Sequence, residues 1–169
     1  MNSRCPVLIR GLLDDQGFKA GDWTLDYLER KVGKIGVKVE EAQPTGLKGG
    51  EPESSARRSF GRGIELEIPF QELASAIRTG SRNIYMSTQT IPVDDEGRPA
   101  IFGQLMEVLI GDIPIRPRLV GPLIPANINM WIGRSDAQTC SGLHHDYHDN
   151  LYCLLRGTKR FLLVSPEYA

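Results

Sequence analysis

A mainly β fold with N-terminal helices (α+β) is predicted by three features of the sequence. Apolar and polar residues alternate around Val37 and Val39, around Leu66 and Ile68, and around Ile128, Met130 and Ile132, which is the period of a half-buried strand. Two apolar runs, 151–155 and 160–164, flank the turn-like Arg156-Gly157-Thr158-Lys159 and read as a hairpin. Helical spacing is shorter and comes earlier, at 23–33 and 69–80.

Taken in order, residues 5–13 read as a short strand running into a loop. In 23–33, Thr24 can cap a helix whose Leu25, Leu28 and Val32 share a face, and Gly33 ends it. Ile35, Val37 and Val39 follow as a strand. Residues 42–61 are rich in Gly, Pro and Ser, hold too little apolar surface to offset ordering, and read as a flexible internal loop. After the strand at 64–68, Pro69 opens a helix with Phe70, Leu73 and Ile77 inward and Gly80 as its stop. Residues 83–89 are strand-like, 94–99 a turn, and 105–110 a short helix. Prolines 114, 117, 122 and 125 make the next stretch irregular. In the strand 127–133 Trp131 reads as core or cavity wall, with substrate contact as the alternative. The whole of 1–169 is expected to be one domain.

Composition narrows the class. A net charge of -1, from 20 Lys+Arg against 21 Asp+Glu, gives no global basic field for nucleic acid. Three cysteines, Cys5, Cys140 and Cys153, form no spaced framework and point to a reducing compartment, cytoplasmic or nuclear. The run Pro6-Val7-Leu8-Ile9 is too short for a signal or membrane segment. A soluble, intracellular chain is expected.

All 3 histidines fall in Ser141-Gly142-Leu143-His144-His145-Asp146-Tyr147-His148-Asp149-Asn150. On an extended strand His144, Asp146 and His148 project to one side, and His145 and Tyr147 to the other. An imidazole and a carboxylate two residues apart can converge on one cation, two thirds of the 2-His-1-carboxylate triad of non-heme Fe(II). A lone H-x-D is a weak signal, and the hairpin pattern at 151–164 strengthens it. Lys159 enters the second apolar run on the face of Phe161 and Leu163, where an ammonium needs an anionic partner.

The run from Ser141 to Pro166 resembles the first metal-binding segment of the JmjC and cupin-like Fe(II)- and 2-oxoglutarate-dependent dioxygenases, nearest in pattern to those that hydroxylate protein side chains. The lead-in P-V-L-I-R-G, then W-T-L-D-Y-L, then V-G is also similar, so the likeness covers the chain from about residue 5 apart from the loop. It implies an incomplete double-stranded β-helix (cupin or jelly-roll), with His144 and Asp146 as iron ligands. It further implies that Lys159, fifteen residues after His144, binds the far carboxylate of 2-oxoglutarate, assisted by Ser141, Asn150 and Tyr85.

The triad needs a third ligand, in that family a histidine on a later strand. No histidine follows His148, and His148 lies roughly 13 Å from His144 at about 3.3 Å per residue of extended chain. The resemblance therefore implies a fragment, inactive alone, whose hairpin at 151–164 shows unpaired edges and an uncovered apolar face. The expected activity is hydroxylation of a protein or peptide side chain, with lysine demethylation or an RNA substrate still open. The alternatives are a non-catalytic pseudo-enzyme that binds peptide and a cupin of isomerase or seed-storage type, which would not require Lys159.

Overall fold

The computed structural model describes residues 5–11, 14–45, 57–134 and 140–165, apart from the side chains of 43–45 and 57–62. Helix α1 (Leu25–Val32) forms where Thr24, in extended conformation, accepts the Tyr27 amide hydrogen on its hydroxyl at 3.1 Å. That satisfies one of the donors a helix start leaves free. Gly33 closes the helix on Glu29. Helix α2 (Phe70–Thr79) starts directly after Pro69 and stops at Gly80, whose φ of 65° is the left-handed conformation glycine adopts without Cβ strain. Helix α3 (Gln104–Leu109) lies after a turn at 94–97, where Asp94 accepts amide hydrogens of Glu96 and Arg98.

Four strands make one antiparallel sheet: β1 (Gly36–Thr45), β2 (Arg57–Pro69), β3 (Ile84–Met86) and β4 (Ile132–Arg134), in spatial order β2-β1-β3-β4. Val39 sits opposite both Leu66 and Met86, and Val37 opposite Ile68. These side chains, with Ile84, meet Leu28, Val32, Phe70, Leu73, Leu105 and Leu109 in one core. The helices therefore cover one face of the sheet. Strand alternation sends Glu40, Tyr85 and Gly133, which lie side by side in the register, to the other face.

Between Glu41 and Gln43 the β1–β2 ladder shifts, so that Ala42 spans the interval from Ile64 back to Ser59 on β2. Gly63 sits in this bulge. Its amide donates to the buried Glu40 carboxylate at 2.6 Å, and a Cβ there would lie 2.3 Å from the Glu41 carbonyl oxygen. Charged pairs fasten the helices: Arg78 bridges Asp26 at 2.5 Å and Glu29 at 2.6 Å, and Arg82 holds Glu41 through two hydrogen bonds and reaches Glu72 at 3.1 Å.

Several expected elements differ. The described residues of 5–11 pair with no strand and leave Val7, Leu8 and Ile9 exposed. The expected loop 42–61 is narrower, because β1 runs to Thr45 and β2 starts at Arg57; residues 46–56 lie outside the described residues. Of the strand expected at 127–133 only Ile132 and Gly133 are paired, in a strand that runs on to Arg134, although Ile128, Met130 and Ile132 do share the core-facing side. Segments 144–148, 151–155 and 160–164 form no strand, the first bending at Tyr147 and His148, and Leu151, Tyr152, Leu154 and 161–164 are exposed. Gly157, at φ 82°, does make the turn between them. A lone two-stranded hairpin is marginal in water, and no described strand lies beside this one to complete a ladder.

This packing sets two expected outcomes. Leu73→Ala, at a fully buried position, is expected to cost about 2–5 kcal/mol in urea unfolding. The Arg82 hydrogen bonds hold the Glu41 carboxyl below its usual 4.5. A carboxyl depressed by folding contributes stability that is present above its unfolded value and is lost as pH falls through its folded value. Urea midpoints should thus fall with acidification below about pH 4.5 in the parent and fall less steeply in Arg82→Gln. Parallel curves would show that the pair does not matter.

Candidate metal centre

The segment from His144 to Tyr147 forms no ladder, yet its side chains pair two by two. His144 Nε2 lies 3.7 Å from Asp146 Oδ1 on one side, and the rings of His145 and Tyr147 meet edge to face at 5.5 Å on the other. Two donors each about 2.1 Å from one ion lie at most about 4.2 Å apart, so the pair can flank a single cation. Both side chains are more than half exposed, which leaves room for further ligands. His144 Nδ1 sits 3.1 Å from the Gly142 carbonyl oxygen, and the Asn150 amide donates to Asp146 Oδ2 at 3.0 Å.

One imidazole nitrogen and one carboxylate oxygen suit two of the three protein positions of a non-heme iron site. Among the described residues no group of three His, Cys, Asp or Glu side chains gathers to hold a metal, and His148 does not join the pair.

A second cluster lies across the open face of the sheet. Ile84 and Met86 are fully buried toward the helices, so Tyr85 between them faces away. Lys159 Nζ stands 5.6 Å from the Tyr85 ring centroid and 6.0 Å from that of Phe161. Residues far apart in sequence thus meet, but Lys159 is exposed rather than inward. Its neighbours here are aromatic faces, which attract a cation. Burial, and to a lesser degree the charge of Tyr152, pushes the Tyr85 phenol up to about 12. Ser141 is exposed.

Trp131, Tyr152 and Phe161 form an aromatic row that the sequence pattern does not assemble. Trp131 stacks on Tyr152 at 6.4 Å, and Tyr152 meets Phe161 edge-on at 5.1 Å. Trp131 is 43% exposed, so it is no core residue. The signal for it lies in the alternation: Ile128, Met130 and Ile132 face the core, which leaves Trp131 on the side of Tyr85. Gly133 lets β4 approach β3 here, since a Cβ would stand 2.6 Å from both the Ile84 carbonyl oxygen and the Tyr85 ring.

The family model described as "Cupin-like domain" matches residues 1–169. JmjC domain-containing protein 4 of Schizosaccharomyces pombe is 34% identical over 178 residues, covering 99% of this chain and 35% of that protein. JmjC domain-containing protein E of Dictyostelium discoideum is 29% identical, covering 95% of this chain and 46% of that protein. The human bifunctional peptidase and (3S)-lysyl hydroxylase JMJD7 is 26% identical, covering 86% and 43%. No solved structure matches significantly. The chain spans between about a third and about half the length of these curated relatives.

The helix-backed antiparallel sheet and this family match define a mainly β protein of the cupin class. Within that class the chain belongs to the JmjC/cupin-like family.

Tyrosine ionisation followed in the ultraviolet should show a late phase near pH 12 that disappears in Tyr85→Phe. Gly133→Ala should destabilise the fold by about 1–3 kcal/mol, the range for overpacking a tight site, and should bring that late phase to lower pH as the ring is displaced toward water. An unchanged titration would show that Gly133 does not seat Tyr85.

Proposed function

We propose that this chain carries part of the active site of an Fe(II)- and 2-oxoglutarate-dependent oxygenase that hydroxylates a protein side chain. The observation that supports it most is the pairing of His144 Nε2 with Asp146 Oδ1 at 3.7 Å, in a chain whose Lys159 has come to Tyr85. His144 and Asp146 would hold the metal, with a third protein ligand from outside the described residues. Iron and 2-oxoglutarate, when bound, supply the oxidising chemistry.

The chain's own residues bind and orient. Lys159 gives the distal carboxylate of the cosubstrate a charge-assisted hydrogen bond. Because Tyr85 keeps its proton to about pH 12, its hydroxyl can donate to the same carboxylate at neutral pH, and Ser141 and Asn150 assist nearby. The lysyl hydroxylase among the relatives supports a protein or peptide as substrate; an RNA substrate stays open. No helix among the described residues is long and apolar enough to cross a membrane. Exposed free thiols at Cys5, Cys140 and Cys153 favour a reducing, intracellular setting.

A second reading, a non-catalytic peptide-binding module, draws on the two-member donor set. One titration separates the two. Mn(II) should bind the chain weakly, at best in the range of tens of micromolar, as expected of a short ligand set, and more tightly with 2-oxoglutarate present. His144→Ala should abolish the binding, and Lys159→Ala should remove only the gain from 2-oxoglutarate. Mn(II) affinity indifferent to 2-oxoglutarate in the parent chain would favour the module.

A further inference from the structure

We infer that Arg156 is a latch: its guanidinium fastens the C-terminal stretch to the N-terminal turn and so places Lys159 against Tyr85. The latch needs neither metal nor cosubstrate, so its failure would leave the proposed function untouched. Arg156 Nη2 donates to the Gly21 carbonyl at 2.7 Å, across 135 positions of sequence, and Nη1 donates to the Leu155 carbonyl at 2.8 Å. The planar fork of a guanidinium sets its nitrogens at fixed spacing, so one side chain clips two backbone carbonyls together. Lysine, with a single ammonium on a flexible stem, holds such a pair less firmly.

Both ends of the clip are seated. Leu155 packs against the core, whereas 151–154 and 156–164 are all exposed. The stretch therefore makes its core contact directly beside the latch. On the other side Gly21 lies in the short 3-10 turn Ala20–Asp22, with Ala20 buried. Asp112 fixes that turn: its carbonyl accepts the Lys19 amide hydrogen at 2.7 Å, and its Oδ2 accepts from Trp23 Nε1 at 3.0 Å and Tyr27 Oη at 2.5 Å. From Arg156 the chain turns through Gly157, at φ 82°, and brings Lys159 Nζ to 5.6 Å from the Tyr85 ring centroid. A stretch with few buried apolar contacts opens at low cost, so losing the latch frees it while the core stays folded.

Cys153 reports the seating, because burial pushes its thiol above the usual 9.0 and the thiolate is the reactive form. Cys5 and Cys140, both exposed, are first changed to Ser. The test is then the rate at which Cys153 reacts with dithiobis(nitrobenzoate) at about pH 8. Arg156→Met is expected to raise that rate about tenfold, the scale of one lost charge-assisted hydrogen bond, and Arg156→Lys to raise it less. Urea midpoints should stay near the parent's, since Arg156 is exposed and outside the core. The Tyr85 ionisation near pH 12 should move to lower pH in Arg156→Met, because the stretch that covers its ring is released. An unchanged thiol rate in Arg156→Met would overturn the latch. A faster rate matched by a fall in the urea midpoint would also overturn it, by making Arg156 a general stabiliser. A faster thiol with the Tyr85 ionisation unmoved would break the link to Lys159.

Discussion

The site depends on a constraint three residues long. Ile84 and Met86 must both be buried against the helices, and a pleated strand then has no choice but to send Tyr85 to the opposite face. On that face β1 contributes Glu40 and β4 contributes Gly133 beside it. Gly133, lacking a side chain, leaves the ring its space. The core therefore does more than hold the sheet to the helices. It sets which surface receives the C-terminal segment and its lysine.

That segment is held differently from the core. Leu155 packs against the core and Arg156 donates to the Gly21 carbonyl at 2.7 Å, while Tyr152 stacks on Trp131. Around these few anchors the candidate metal ligands are exposed and linked by short-range contacts: Gly142 to His144, His144 to Asp146, Asp146 to Asn150. The N-terminal half owes its order to buried apolar area. The candidate site owes its order to local hydrogen bonding and to one aromatic row, so its geometry is the part most open to tightening by a bound ion.

Sequence alone made the helices legible, because Thr24, Gly33, Pro69 and Gly80 are terminal signals with a local mechanism. The buried ladder was legible for a similar reason, through the alternation at Val37, Val39 and Ile68. Pairing was harder to read. Gly- and Arg-rich 57–63 looks like loop by composition, yet Arg57, Arg58 and Ser59 pair with β1 beyond a bulge where Gly63 approaches the Glu41 carbonyl more closely than a Cβ would allow. The converse holds at 151–155 and 160–164, where strand-like sequence remains unladdered since a ladder needs a neighbour as well as a propensity. At the site the H-x-D spacing brings His144 and Asp146 to one side, as extended geometry requires. The exposure of Lys159 was not legible, since the sequence places it on the Phe161 face but does not say that this face stays uncovered.

The proposed oxygenase site stands or falls with Tyr85 and Lys159 forming one anion-binding unit. A double-mutant cycle on 2-oxoglutarate affinity at saturating Mn(II), with Tyr85→Phe, Lys159→Met and both together, tests it most directly. Groups sharing one ligand carboxylate should be non-additive by about 0.5–3 kcal/mol. Additive losses would mean that the two residues serve separate contacts, and no loss from either would remove the cosubstrate from this face of the sheet.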